Sequence, residues 1–170
     1  MDLVELGALS DRDWTELIAG EHQPFGPDGA GLQWRAKDRH IGVRGAGGAL
    51  VAVAGAVVAT VEIEGGEAFE VVGLGSLIVT RSARGQGLMS RLLGPLLELA
   101  SEIGPARAML FCRPPLVAVY RELDFAVIAG PVFAEQPGGR VQVPMTAMWR
   151  ALHGSPGWPA GRVEVHGLPF

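Results

Sequence analysis

The chain has 170 residues, 48% hydrophobic and 19% charged, enough apolar side chain to bury one core and too little length for a second. Its net charge of −4, from 18 acidic and 14 basic residues, argues against the broad phosphate footprint of a nucleic-acid binder. All the basic residues but Lys37 are Arg, which removes most Schiff-base and P-loop chemistry, since both need a placed lysine.

In chain order, the first residues carry Asp2, Glu5, Asp11 and Asp13 and no basic region, so no signal peptide is expected and the protein reads as cytoplasmic. Residues 3–6 read as a short strand, and Ser10 as the N-cap of a helix that carries Leu17 and Ile18. Residues 20–31, with Pro24, Gly26, Pro27 and Gly29, read as a loop of the kind that rims a substrate pocket, with Trp34 just beyond it. Ile41 and Val43, then residues 49–63 and 69–79, have the β-branched character of an antiparallel meander. The longest apolar run, 49–59, is too short for a membrane helix of roughly 20 residues, so no membrane partner is expected. Glu62, Glu64, Glu67 and Glu70 fall on one hairpin, which reads first as a solvated acidic face and second as an attractor of cationic amines.

Residues 87–103 place Leu88, Leu92, Leu96 and Leu99 on one helical stripe, with Pro95 inside it, so a kink is expected near positions 91–94. A strand over 106–112 ends at Cys112, the single cysteine, which reads as a small buried apolar residue and suits a reducing compartment. A short helix over 115–123 and strands over 125–133 and 140–149 follow, with a turn at Pro137-Gly138-Gly139 between the last two. The order gives one α+β domain over 1–170, built on a mixed, mostly antiparallel central sheet with flanking helices, with a tail over 150–170. His22, His40, His153 and His166 show no metal-ligand spacing, so no metal is expected. Trp14, Trp34, Trp149 and Trp158 read as core or interface, with Trp34 also a candidate pocket residue.

The most informative stretch is Leu77-Ile78-Val79, a strand end, followed by Arg84-Gly85-Gln86-Gly87-Leu88-Met89-Ser90 at the start of the long helix. A helix start leaves main-chain N–H groups unpaired and carries partial positive charge, so it takes phosphate wherever no side chain blocks the approach. Gly85 and Gly87 keep the approach open and Arg84 adds a fixed charge. On spacing alone an ordinary glycine-rich helix start fits equally well. The third glycine of a dinucleotide fingerprint is missing, as is the Gly-Lys-Ser/Thr ending of a P-loop.

Arg84-Gly85-Gln86-Gly87-Leu88-Met89 resembles the Gcn5-related N-acetyltransferases, whose signature is Gln/Arg-x-x-Gly-x-Gly/Ala after a strand. Met89 departs from its last position. Downstream, Tyr120-Arg121-Glu122-Leu123-Asp124-Phe125 resembles the family's Tyr-x-x-x-Gly-Phe, with Asp124 in place of Gly. The resemblance covers about 39–148, with the cofactor-binding core at about 69–134. It implies the acyl-CoA N-acyltransferase fold, acetyl-CoA as cosubstrate and a small-molecule primary amine as acceptor. It also implies that Leu77, Ile78 and Val79 bind the pantetheine and that Arg84 to Ser90 bind the pyrophosphate. Trp34, the strand-turn over 79–88 and the Pro- and Gly-rich tail are most similar to the aminoglycoside 2'-N-acetyltransferase-like branch. That branch has a Glu where this chain has Gly75.

A protonated alkylamine has a pKa near 10.4, so about one molecule in a few thousand is nucleophilic at pH 7. The reaction therefore needs a base, a donor at the thioester carbonyl and an acid for the leaving thiolate. Family likeness implies Tyr120, the only tyrosine, as the acid; a core-edge tyrosine with a satisfied hydroxyl is the plainer alternative. No base is obvious. Ser76 is a candidate substrate contact, and the tail ending at Phe170, read as docked at the acceptor site, offers its C-terminal carboxylate as the candidate base, a role that some members of the resembled family imply. Exposed strands and family habit are compatible with a homodimer. The competing function is a catalytically silent acyl-CoA sensor, a reading kept open by Gly75 and Met89.

Overall fold

A computed structural model describes residues 1–18, 21, 31–154 and 157–170. The expected pocket-rim loop over 20–31 lies outside the described residues except at positions 21 and 31. In chain order the elements are β1 (Asp2–Leu6), α1 (Asp11–Ile18), β2 (Arg39–Arg44), β3 (Leu50–Ile63), β4 (Ala68–Val79), α2 (Leu88–Ile103), β5 (Arg107–Cys112), α3 (Val117–Arg121), β6 (Ala126–Val127), β7 (Val132–Gln136), β8 (Gly139–Gln142), β9 (Thr146–Ala151) and β10 (Val163–Val165).

The described strands form one ten-stranded mixed sheet in the order β6-β9-β5-β4-β3-β10-β7-β8, and β2 joins β1 to the first half of β3. Only β4–β5 and β10–β7 pair in parallel. The expected meander is β1 to β4, and the parallel step from β4 to β5 crosses over through α2, as parallel pairing requires.

The sheet is covered on both faces, which is why β3 reads as an unbroken apolar run. On one face the small side chains of Ala52, Ala54 and Ala56 let α2 sit close, and Leu92, Leu96 and Leu99 pack there with Val72 and Leu110. Truncating Leu92, which is fully buried, would cost roughly 2–5 kcal/mol. On the other face Val61, Val71, Met109, Val163 and Phe170 make a second cluster, and α1 closes a third over Leu50, Val53 and Ile78. The start of α1 is a reciprocal cap: Asp13 N–H donates to Ser10 Oγ at 3.2 Å and Ser10 N–H to Asp13 Oδ2 at 3.0 Å.

The helix carrying Pro95 is continuous from Leu88 to Ile103. Gly94 precedes the proline, and with no Cβ there part of the usual clash with the ring disappears. Two expectations need correction, both of strand limits. The strand expected over 125–133 is two, β6 and β7, because Gly130-Pro131 carries the chain from one end of the sheet to the other. Pro144 likewise splits the strand expected over 140–149 into β8 and β9. The tail over 150–170 contributes β10, which pairs with β3 and β7.

Candidate active site

Strands β4 and β5 pair only at Val72, Gly73 and Leu74, whose partners are Ala108, Met109 and Leu110. Both strands continue, β4 to Val79 and β5 to Cys112, so beyond Leu74 they run on unpaired with each other. The cause lies in β4. Two residues lie between Gly75 and Ile78 where one lies between Val53 and Gly55 on β3, so β4 carries one extra residue there. Ser76 takes up the irregularity at φ +53°, a conformation uncommon for a residue with a side chain. Thr80 N–H donates to Val51 O at 2.9 Å, so by alternation Ile78 faces β3 while Leu77 and Val79 turn their main chain toward the gap. Arg84 Nε donates to Val79 O at 3.1 Å.

A cavity of about 360 Å³ occupies this gap and passes through the sheet. Leu93, Leu96 and Tyr120 line it from the α2 face, and Trp34, Phe111 and Phe170 from the other. Two molecules entering from opposite faces would meet at Ser76 and Leu77, which also line it.

Where β4 ends, the turn to α2 takes Gly85 to φ +77° and Gly87 to φ +70°. A Cβ at either glycine would meet nothing within 4 Å, so the positive φ, and not crowding, reserves these positions for glycine. No side chain caps α2, and its first turn holds no acidic residue. The N–H groups of Leu88, Met89 and Ser90 are therefore open to an anion, and the turn fits a pyrophosphate. Leu88 is buried, Met89 half-buried, and Gln86 and Ser90 exposed. Arg84 Nη2 pairs with Glu21 Oε2 at 2.6 Å, an interaction an incoming phosphate would replace.

Tyr120 sits on α3 with its ring edge-on to Phe125, the centroids 5.8 Å apart. Burial, with Cys112 beside it, pushes its phenol up to about 12, so at neutral pH it is a donor. Burial likewise pushes the Cys112 thiol up to about 11. Cys112 is thus the inert core residue expected, not a nucleophile.

The sequence brings Tyr120, Leu77, Ser76, Trp34 and Phe170 to one cavity, with Arg84 to Ser90 at the end of the strand that lines it. Ile78 is different: its side chain packs with Leu17, Leu50 and Val53, and its main chain pairs with β3. Phe170 is 2% exposed, and its ring stacks over Gly73, where a Cβ would come within 2.5 Å of it. The tail is held by Arg35 N–H donating to Pro169 O at 2.6 Å and Glu135 N–H to Gly167 O at 2.9 Å.

Sequence reasoning missed Lys37 as a site residue. It lines the cavity, is 6% exposed, and has its amine pushed down to about 8 by burial, with the Arg35 charge adding to the effect. Its neighbour His40, also buried, keeps Nδ1 on Gly7 O at 2.7 Å and leaves Nε2 without a partner. Arg113 lines the cavity as well, and no acidic side chain does so among the described residues. The described residues also hold no cluster of metal-ligating side chains.

Compared with known proteins, residues 7–125 match the model of the Acetyltransferase (GNAT) family. No curated protein sequence matches the chain. Among solved structures, the GNAT family N-acetyltransferase YhbS of Escherichia coli, in complex with CoA, is similar at 19% identity and TM-score 0.61, over 98% of this chain and 94% of that one. A GNAT superfamily phosphinothricin acetyltransferase of Sinorhizobium meliloti, in complex with AcCoA, is similar at 16% identity and TM-score 0.59, over 94% of each chain. The N-acetylglutamate synthase of Neisseria gonorrhoeae, complexed with coenzyme A and N-acetyl-glutamate, is similar at 17% identity and TM-score 0.57, over 91% of this chain and 36% of that one. At these identities the likeness is one of fold, and it agrees with the mixed sheet and flanking helices expected from the sequence.

Proposed function

The chain belongs to the GNAT family of acetyltransferases, and from that premise we propose that it transfers the acetyl group of acetyl-CoA to a primary amine of a small molecule. The observation that carries this reading is the cavity that crosses the sheet between β4 and β5, with the open glycine turn at the end of β4. Two solved neighbours bind CoA or AcCoA according to their descriptions, which supports the same cosubstrate here.

Acetyl-CoA supplies a thioester whose carbonyl gains negative charge as the amine attacks. The turn from Arg84 to Ser90 holds the pyrophosphate by main-chain N–H groups, with the Arg84 guanidinium beside them. Leu77 and Val79 offer their main chain to the pantetheine arm as a neighbouring strand would; Ile78 serves by packing that strand in place. Tyr120 donates a hydrogen bond to the leaving sulfur. With its phenol near 12 and a thiol near 8.5, donation is favoured over outright loss of the proton. Trp34, Ser76 and Phe170 shape the acceptor side.

Arg35, Lys37 and Arg113 line the cavity, and a polycation would meet them as like charges, which disfavours the aminoglycosides suggested by the narrower resemblance. The net charge of −4 supports a small-molecule partner over nucleic acid. No helix among the described residues is long and apolar enough to cross a membrane. A free, buried Cys112 is compatible with a reducing cytoplasm.

The test is release of free CoA thiol from acetyl-CoA against a panel of amines, beside a Tyr120→Phe variant. Amine-dependent release that collapses in the variant is expected. Tight CoA binding without release on any amine would replace this reading with the silent sensor.

A further inference from the structure

Strand β5 alternates across the sheet. Ala108, Leu110 and Cys112 pack toward α2, so Met109 and Phe111 face the other side. Phe111 lies one residue past the last pairing of β5 with β4, so its ring stands at the edge of the gap. Trp34 meets it edge-on, with centroids 6.1 Å apart and planes at 67°. Phe170 meets it tilted, at 5.3 Å and 47°. Three rings from β5, the segment before β2 and the tail thus make one continuous wall.

A fourth ring faces the same cavity. Helix α1 packs on Val53, which alternates along β3 with Ala52 and Ala54 of the α2 face, so α1 lies on the side of Phe111, and from it Trp14 lines the cavity. Trp14, Trp34 and Phe111 are only half-buried, as is Met145 at the same cavity. The remaining two tryptophans differ: Trp149 and Trp158 stack on one another at 5.7 Å, with Phe69 against Trp158 at 5.5 Å, away from the cavity. Half of the tryptophans therefore satisfy each other in the tail cluster, and half keep apolar surface open toward the site. Polar groups on that side are few. The Arg35 guanidinium is taken up by the carbonyls of Val58 and His166, which leaves Ser76 at the gap itself and Arg113 at the exposed end of β5.

We propose that the acceptor is a monoamine carrying one aromatic ring: the ring lies among Trp14, Trp34, Phe111 and Phe170, and a short arm brings its amine to Ser76 and the gap. This rests on the acetyltransferase reading for the word acceptor, but the aromatic subsite stands on the rings themselves. A guest ring extends the edge-to-face series and displaces water from apolar walls, both favourable. The cavity of about 360 Å³ serves thioester and acceptor together, at the small end of the roughly 300–1,000 Å³ of ligand sites, so it leaves room for a single ring. A polar amine of equal length leaves those walls wet.

The test compares 2-phenylethylamine with ethanolamine, two amines of similar basicity on the same two-carbon arm, in the thiol-release assay. The phenyl compound is expected to lead in kcat/KM by about tenfold to a hundredfold, the worth of burying one ring. Trp34→Ala should erase most of that lead through KM, and Trp34→Phe should keep part of it. Binding is read independently in the unaltered protein. Labelled with ¹⁵N, its four tryptophans give four indole N–H signals, assigned with Trp14→Phe and Trp34→Phe. At saturating CoA, N-acetyl-2-phenylethylamine should shift the Trp14 and Trp34 signals and leave those of Trp149 and Trp158 in place; N-acetylethanolamine should move none. Ethanolamine matching the phenyl compound in active enzyme, or Trp14 and Trp34 signals unmoved by the aromatic ligand, overturns the proposal. So does 2-cyclohexylethylamine matching 2-phenylethylamine, since bulk alone would then account for the lead. Selective shifts with no thiol release on any amine would leave the aromatic subsite standing and remove the acetyltransferase reading; brisk release on ethanolamine with unmoved signals would do the reverse.

Discussion

At the end of β4, beyond the cavity, the protein offers main-chain N–H groups on a turn with positive φ at Gly85 and Gly87; on the cavity wall it offers a single buried side chain, Lys37, slotted against Gly55 and Gly75. The first end costs little to keep. No side chain or carboxylate has to be held beside its donors. The second end stores a penalty, because an ammonium is held away from water. Glycine thus does two jobs in one site: at the turn it permits a backbone shape, and on the strands it vacates space.

The largest effect should come from the residue that stands between the two ends. Tyr120→Phe removes the donor at the sulfur and is expected to lower turnover about 10²- to 10⁴-fold, with CoA affinity by calorimetry changed by less than about twofold. An undiminished turnover would remove Tyr120 from the chemistry and leave the two ends as independent binding sites.

Next comes the stored penalty. The folded pKa of Lys37, about 8, lies below the ordinary lysine value of about 10.4. The unfolded chain therefore binds more protons between those pH values, and this group's contribution to stability rises with pH across that window. Below it the full penalty applies, about 3 kcal/mol from the size of the shift. Lys37→Met is expected to stabilise the protein toward urea by up to that amount at pH 7, and the gain should shrink as pH is raised toward 10. A variant less stable than the parent at pH 7 would show that the lysine is paired after all.

Smaller changes separate the ends. Gly73→Ala forces a Cβ within 2.5 Å of the Phe170 ring and should cost about 1–3 kcal/mol of stability, raising the acceptor KM and leaving CoA affinity alone. Gly87→Ala, at φ +70°, costs roughly 1–2 kcal/mol in the turn and should weaken CoA about tenfold without changing the acceptor KM. Swapped outcomes would mean that the two ends are not separable. The smallest expected effect is that of Glu21→Gln, which frees Arg84 from a surface ion pair worth about 0.2–1 kcal/mol; CoA should bind up to about fivefold tighter, and more so at low salt.

The two ends also differ in how far the sequence discloses them. The phosphate turn is local: Arg84, Gly85 and Gly87 lie within four residues, and a strand before and a helix after complete the pattern. The acceptor end is assembled from β3, β4, the segment before β2 and the tail, four pieces up to 133 positions apart between Lys37 and Phe170. Gly75 reads in the sequence only as a missing Glu, and its purpose becomes visible once register places it opposite Gly55 and beneath Lys37. The element types were legible through periodicity, which is why β3, β4 and α2 fall close to their expected limits. Prolines decided what periodicity could not: Pro131 and Pro144 end strands that an apolar pattern would continue, while Pro95 sits behind Gly94 in a continuous helix.

The proposed activity requires acetyl-CoA to enter the gap between β4 and β5 and pair with β4 there. Hydrogen exchange at the Leu77, Ile78 and Val79 amides, followed by NMR with and without saturating CoA, tests it most directly. Strong slowing at Leu77 and Val79, with Ile78 already protected by β3, is the predicted result. Unchanged exchange at Leu77 and Val79 in protein that calorimetry shows to be saturated with CoA would contradict it.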